Sequence, residues 1–189
     1  VPIFGYPGAV AARNLLMDED GRPRADVLLA SNFNFADADA SGHMVELGIP
    51  AINMISLYGR NEEEWRASDT GLSIMEGTFN LVTPEFVGTI APTVTASKET
   101  SRDPLTGLPV VTTYPIPDQV DLVVRRALKY ANLRRTPNVD KKLVLIYYNY
   151  PPGIANIGAS YLNVPESISR ILNELHAAGY DIGGEPPDV

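Results

Sequence analysis

The stretch Asp26–Ile55, DVLLASNFNFADADASGHMVELGIPAINMI, decides the fold class. A short apolar run over 26–30 precedes a polar loop, and apolar residues at helical spacing follow the loop. Gly48 stands where a helix C-cap is expected, so the pattern predicts a helix over 37–47. Residues 49–55 then form a second apolar run typical of a strand. Strand, helix and strand in this order indicate an α/β fold.

The segment after the second strand carries two short helix patterns. Asn61 and Glu64 have the spacing of a capping box, with acidic residues in the first turn where the helix dipole favours them. Further on, the residues Met75, Thr78, Phe79 and Val82 have helical spacing. The pattern predicts a short helix there that ends at Pro84.

A β-hairpin is predicted over about 90–115. Two groups of β-forming residues flank the turn-forming sequence Arg102–Gly107, which contains proline and glycine. A helix over 118–135 follows, with Asp118 able to cap its start and Thr136-Pro137 ending it. Its apolar residues predict a single buried stripe, formed by Val120, Val123, Val124, Ala127, Leu128 and Ala131.

The run Lys142–Tyr148 is continuously apolar after its lysine, as in strands covered on both faces of a parallel sheet. A loop and a further helix follow, which Pro165 begins or kinks and Gly179 ends. The whole pattern predicts an open, mostly parallel sheet of the flavodoxin or Rossmann type, with helices on both faces and an inserted hairpin. We expect one lobe over 1–138 and the start of a second α/β unit over 139–189.

Composition narrows the function. The 189 residues include 15 basic and 23 acidic side chains, a net charge of −8, which argues against nucleic-acid binding. Cysteine is absent, which excludes disulfides and thiolate metal sites. The longest apolar run has six residues, so no membrane span is expected. A first residue other than methionine leads us to expect a piece of a longer protein.

The loop over 149–160 is the strongest candidate for a binding site. It follows the predicted strand 142–148, and ligands of open α/β sheets bind at the carboxyl ends of strands. Its candidate binding residues are Asn149, Gly153, Asn156, Gly158 and Ser160. Gly153 and Gly158 have the G-x-x-x-x-G spacing of a P-loop. The lysine that a P-loop needs is missing, so we do not expect this loop to hydrolyse ATP. The alternative is a rigid connection without a ligand.

Two further residues are weak candidates. His43 lies four residues after Asp39 on the predicted helix 37–47 and could hold a metal, although a solvated helix surface is the simpler interpretation. Glu76 lies among apolar residues, where burial would raise its pKa and suit it to act as a base or metal relay. A surface glutamate is the alternative. The motifs of serine hydrolases and dinucleotide-binding proteins are absent.

Several strings together resemble the large subunits of cobaltochelatase and magnesium chelatase. The resemblance runs along essentially the whole chain, and the order and spacing of these strings argue against chance agreement. The strings are KKLVLIYYNYPPG over 141–153, NIGASYLNV over 156–164, YGRNEEEW over 58–65, EGTF over 76–79, PEFVG over 84–88, FGYPG over 4–8 and IPDQV over 116–120. The sequence of residues 147–163 is closer to the cobalt branch of the family than to the magnesium branch.

The resemblance implies an ATP-dependent chelatase, a ligase-class enzyme, in the cytoplasm. In this family the large subunit binds the tetrapyrrole, while AAA+ ATPase motor subunits and their adaptor use ATP. The expected role is therefore insertion of cobalt into a corrin-type ring during cobalamin biosynthesis, with no cofactor bound by this fragment and no activity of the isolated fragment.

The resemblance leaves alternatives open. One is a magnesium chelatase large subunit acting on protoporphyrin in the chlorophyll pathway. Another is a non-catalytic scaffold or docking domain of such a subunit, and a third is a freestanding flavodoxin-like binding module. Ile154 stands where many relatives have lysine, which implies a changed pocket or substrate.

Overall fold

A computed structural model describes residues 8–31, 39–146, 158–159 and 162–187. The chain divides into two compact units, residues 1–131 and 132–189, and each is described by itself. The lobe boundary at residue 138 that the sequence indicates stays a prediction.

The first unit is built on a four-stranded sheet. Its strands are β1 (Leu28–Ser31), β2 (Ala51–Ser56), β3 (Thr89–Arg102) and β4 (Pro109–Pro115), and they lie in the order β1-β2-β3-β4. The pairs β1–β2 and β2–β3 are parallel, whereas β3 and β4 form an antiparallel hairpin. This mostly parallel sheet with a hairpin confirms the predicted fold class.

Most of the helices belong to the first unit. They are α1 (Gly8–Leu16), α2 (Ala40–Leu47), α3 (Glu62–Arg66), α4 (Ile74–Gly77), a π-helix (Thr78–Val82), α5 (Thr83–Phe86) and α6 (Pro117–Arg135), whose last four residues fall in the second unit. Gly48 ends α2 in the left-handed conformation at φ 60°, and Asn61 and Glu64 form the predicted capping box of α3. Pro84 lies in the first turn of α5, so the prediction that the helix ends at this residue is wrong.

Helices cover both faces of the sheet. Successive residues of β2 point to opposite faces, and they pack against different helices. Ala51 packs in a cluster with Met44 and Leu47 of α2 and with Ala12 of α1. Its neighbour Ile52 packs against Val123 and Ala127 of α6. A third apolar cluster lies at the carboxyl end of β2 and contains Ile55, Leu57, Val94 and Ile116.

The apolar stripe of α6 is narrower than the sequence predicts. Val123 and Ala127 are buried, but Val124 is 45% exposed and Leu128 is 60% exposed. The predicted stripe spans more of the helix circumference than the contact with Ile52 covers. Among the described residues, the part of the stripe around Val124 therefore stays open to solvent.

The second unit contains a 3₁₀ turn (Asn138–Asp140), a short antiparallel pair β5 (Gly158–Ala159) and β6 (Leu162–Asn163), and α7 (Val164–Ala177). Pro165 lies in the first turn of α7, and Gly179 follows the helix at φ 83°. The predicted strand 142–148 is wrong over 142–146, where the backbone joins no sheet and the apolar side chains are exposed. The described residues of this unit offer that backbone no neighbouring strand, and a strand needs one for its hydrogen bonds.

No helix in the described part of the chain is long and apolar enough to cross a membrane.

Candidate functional site

The carboxyl end of β2 brings together the polar side chains of the candidate site. Asn53 lies in the strand and is 2% exposed, and Tyr58 and Arg60 follow where the chain leaves the sheet. Strand carboxyl ends are the usual place for ligands in open α/β sheets. The short helical segment 74–86 lies against this end of the strand, through contacts of Glu76 and Asn80.

Glu76 is the buried charge at the centre of the site. Its side chain is 3% exposed and lies 2.8 Å from Arg60 Nη2. The backbone N–H of Tyr58 donates to Oε1 at 2.9 Å, and the backbone N–H of Ser73 donates to Oε2 at 2.9 Å. The Ser73 contact is half of the capping box that begins α4. One carboxylate thus joins the start of α4 to the chain that leaves β2.

These contacts determine the pKa of Glu76. Burial by itself raises the pKa, but the hydrogen bonds from Tyr58, Ser73 and Arg60 together outweigh it and lower the pKa to about 2. The predicted raised pKa is therefore wrong, because sequence alone does not reveal donors that converge on a buried carboxylate. At neutral pH the group is an ionised anchor. Its predicted role in catalysis stays a prediction.

Arg60 has donors to spare. Its Nη2 donates to the Gly71 carbonyl at 2.6 Å as well as to Glu76. Neither Nε nor Nη1 has a hydrogen-bond partner within the described ranges, and the side chain is 25% exposed. The guanidinium therefore keeps part of its planar fork available for an anionic group.

Asn80 links the site to the sheet. The Asn53 amide donates to the Asn80 carbonyl at 2.7 Å, and the Tyr58 hydroxyl lies 3.3 Å from Asn80 Oδ1. Asn80 is 7% exposed and lies in the π-helix Thr78–Val82. Such π-helical turns are rare and occur frequently at functional sites.

A bulge in β3 lies beside Asn53. The register with β2 shifts between the pairs Ile52–Ile90 and Met54–Thr93, so the bulge lies opposite Asn53. Within the bulge, Ala91 has φ 50°, which is a strained conformation for a residue with a side chain. The π-helix and the bulge both lie next to the buried Asn53 side chain, and each kind of irregularity is frequent at functional sites.

The segment 74–86 turns its apolar residues outward. Its buried residues are Glu76, Asn80 and Pro84, whereas the exposed ones are Ile74, Met75, Phe79, Val82 and Phe86. The predicted helical spacing is present, but the apolar side does not face the core. Tyr58 is 50% exposed and contacts this segment through Glu76 and Asn80. We call Tyr58 together with the five exposed residues the apolar face.

An open surface groove of about 720 Å³ lies elsewhere, at α3. Its lining includes three carboxylates and Arg66, which is already paired with Glu62 and Asp118. This groove does not suit an anionic ligand.

His43 stands apart from this site. Its Nδ1 lies 4.0 Å from Glu46 Oε2, and the same oxygen is 2.8 Å from Arg13 Nε. Across the described ranges, no group of three or more histidine, cysteine, aspartate or glutamate side chains could hold a metal ion. A metal role for His43 stays a prediction.

Most of the loop that the sequence favours lies outside the described residues. This applies to Asn149, Gly153, Asn156 and Ser160, and also to Ile154. Gly158 is described: it belongs to β5, where it pairs with Asn163 of β6. The binding role of Asn149, Gly153, Asn156, Gly158 and Ser160 stays a prediction.

Sequence reasoning missed Asn53, Tyr58, Arg60 and Asn80 as site residues. Tyr58 and Arg60 do belong to the string YGRNEEEW that carries the family resemblance, so the signal for them was present. Asn53 and Asn80 stand in apolar surroundings, and no sequence pattern marks them as partners.

Comparison with known proteins gives the family. The family described as CobN/Magnesium Chelatase matches residues 1–189, and the chain belongs to it. An uncharacterised protein of Methanocaldococcus jannaschii is 33% identical over 78% of this chain and 12% of its own length. The chloroplastic magnesium-chelatase subunit ChlH of Oryza sativa subsp. indica is 33% identical over 75% of this chain and 10% of its own length.

A solved structure is also similar. The catalytic subunit of cobaltochelatase from Mycobacterium tuberculosis superimposes with a TM-score of 0.62 at 28% identity, over 76% of this chain and 11% of that one. The chain thus spans only about a tenth of the length of the relatives that it matches.

Proposed function

We propose that this chain is part of the tetrapyrrole-binding large subunit of an ATP-dependent metal chelatase. The observation that carries the proposal is a buried polar network at the carboxyl end of β2, in a chain that matches the chelatase family along its whole length. Ligands of open α/β sheets bind outside the carboxyl ends of the strands. The loop over 149–160, in which Ile154 stands where many relatives have lysine, is proposed as a further tetrapyrrole-binding segment.

Cobalt is the proposed substrate metal, and a corrin-type ring in cobalamin biosynthesis is the proposed acceptor. The wording of residues 147–163 supports the cobalt branch, as does the structural similarity to a cobaltochelatase subunit. The alternative is magnesium insertion into protoporphyrin, which the 33% identity to a magnesium-chelatase subunit favours. Either metal is a substrate and not a resident cofactor.

The energy for insertion is proposed to come from AAA+ partner subunits and their adaptor, in the cytoplasm. Both G-x-x-x-x-G stretches of the sequence, over 153–158 and 179–184, lack the lysine that a P-loop needs, so ATP use by separate subunits fits the chain. A scaffold role without contact to the ring is the competing proposal. The exposed apolar face next to Arg60 favours direct contact, because a scaffold has no need for free guanidinium donors beside it.

Metal insertion by the reconstituted enzyme tests this proposal. The full-length subunit is combined with its motor and adaptor subunits, ATP, and either cobalt with a corrin-type ring or magnesium with protoporphyrin. We expect insertion of cobalt only, and no insertion when ATP is omitted. Magnesium insertion alone would move the chain to the alternative branch, and the absence of both activities with a correctly assembled complex would contradict the proposal.

A further inference from the structure

We propose that Tyr58, Phe79 and Arg60 form a subsite for a tetrapyrrole that bears carboxylate arms. The ring would lie on the two aromatic side chains, and one carboxylate would bind the free side of the guanidinium. This inference rests on the proposed function and adds which described residues contact the ring.

The aromatic part of the subsite is exposed although it is rigidly held. Tyr58 is 50% exposed and Phe79 is 46% exposed. The Tyr58 backbone N–H is bonded to Glu76, and its hydroxyl lies 3.3 Å from Asn80 Oδ1. Phe79 directly precedes Asn80 in the π-helix, so the Tyr58 hydroxyl and the backbone of Phe79 lie near the same residue. A flat macrocycle gains from stacking on such rings without ordering them first.

Arg60 supplies the complementary charge. Its Nη2 makes both of its hydrogen bonds, to Glu76 and to the Gly71 carbonyl, so the group is fixed from one side. The remaining donors, Nε and Nη1, have no hydrogen-bond partner among the described residues. Both bidentate edges of the guanidinium include Nη2, so each of the remaining nitrogens can donate a single charge-assisted hydrogen bond to a carboxylate. The apolar face and the guanidinium together match a ring with carboxylate arms better than a purely apolar partner.

The support beneath the subsite is buried and polar. The carboxylate of Glu76, whose side chain is 3% exposed, anchors both Tyr58 and Arg60. Asn53 and Asn80 fix the π-helix from the sheet side. A binding group held in this way loses little freedom when its ligand arrives, which favours a pre-formed ligand site.

Equilibrium binding by the full-length subunit tests the aromatic contact. Tryptophan quenching by a water-soluble dicarboxylic porphyrin gives the dissociation constant for the wild type and for Tyr58→Ala and Phe79→Ala. We expect each variant to bind at least about fivefold more weakly, as one lost stacking contact predicts. Tyr114→Ala is the matched control, because Tyr114 lies on the hairpin and is 49% exposed, and it should bind as the wild type does.

The dimethyl ester of the same porphyrin tests the guanidinium contact. The wild type should bind the free acid about tenfold or more tightly than the ester, as expected for a charge-assisted pair. The double variant Arg60→Met/Glu76→Gln removes the charge without leaving a buried carboxylate unpaired. It should bind acid and ester equally, and thermal unfolding of each variant reports whether the fold is intact.

The results separate the two proposals. If the wild type binds the porphyrin and both folded aromatic variants bind it equally well, the subsite is wrong and the proposed function stands; the apolar face is then covered by another part of the longer protein. If the folded double variant still prefers the acid, the Arg60 contact is wrong. If the wild type binds no tetrapyrrole of either branch, both proposals fail.

Discussion

At the scale of single residues, Glu76 shows how a buried charge can be stable. Three separate donors satisfy its two oxygens, so the ionised form loses little when it leaves water. The apolar neighbours of Glu76 in the sequence predict that its side chain is buried, and the structure confirms this burial. The direction of the pKa could not follow from the sequence, because it depends on the hydrogen bond with Tyr58 N–H from 18 positions away in the chain.

The lowered pKa predicts how stability depends on pH. The Glu76 carboxylate has a pKa of about 2 in the folded chain, against 4.5 for the ordinary value. Its contribution is therefore complete above about pH 4.5 and is lost as the pH falls towards 2, where the folded carboxylate takes up its proton. The shift corresponds to about 3 kcal/mol of unfolding free energy.

The Glu76→Gln variant measures this contribution. The amide places a donor where Arg60 and Ser73 also donate, so the variant should lose stability mainly above pH 4.5, and its difference from the wild type should shrink at lower pH. Urea unfolding at several pH values gives the comparison. Glu63→Gln is the control, because Glu63 is exposed and its difference from the wild type should stay small at every pH. A constant Glu76→Gln difference from pH 7 to pH 2 would contradict the lowered pKa.

At the scale of elements, the segment 74–86 departs most from what its sequence indicates. Helical spacing of apolar residues normally marks the side that faces the core. Here the polar residues Glu76 and Asn80 face the sheet, because β2 presents Asn53 and the chain after it presents Arg60. Pairing between buried polar groups of distant segments is a tertiary property, which a local period does not contain. By contrast, the cap at Gly48 and the capping box at Asn61 are local and were predicted.

The cap of α4 supports this arrangement. Ser73 Oγ accepts the Glu76 backbone N–H at 3.2 Å, and the Ser73 N–H donates to the Glu76 carboxylate. Ser73→Ala should lower the unfolding free energy by about 1 kcal/mol, as the loss of an N-cap does. Ser73→Thr keeps the hydroxyl and should restore most of this loss in the same denaturation experiment. Equal stability of wild type and Ser73→Ala would show that the cap does not contribute.

Two neighbouring valines of α6 test which side of the helix is buried. Val123 is 1% exposed and Val124 is 45% exposed, although the sequence places both in one stripe. Val123→Ala should cost about 2 kcal/mol of unfolding free energy, because it removes buried methyl groups and leaves a cavity beside Ile52. Val124→Ala should cost less than about 0.5 kcal/mol, since alanine favours the helix. Similar losses for the two variants would mean that α6 is covered on both sides.

At the scale of the whole molecule, the fold class followed from the alternation of strand and helix over 26–55 and from the hairpin pattern over 90–115. The strand predicted over 142–146 is absent from the structure. An apolar run forms a strand only where a neighbouring strand completes its hydrogen bonds. The family followed from strings that extend along the chain. The contact residues Tyr58 and Arg60 lay within those strings, but only the geometry around Glu76 distinguishes them from their neighbours.

Amide hydrogen exchange of the full-length subunit, with and without a saturating tetrapyrrole, tests directly whether the ring binds at the carboxyl end of β2. We predict slower exchange on binding over residues 57–60 and 74–82, where the chain leaves β2 and meets the π-helix. Exchange at the hairpin turn over 102–109, which shares none of these contacts, should not change. Unchanged exchange over 57–60 and 74–82 at full occupancy would contradict the account, because the ring would then bind away from this part of the chain.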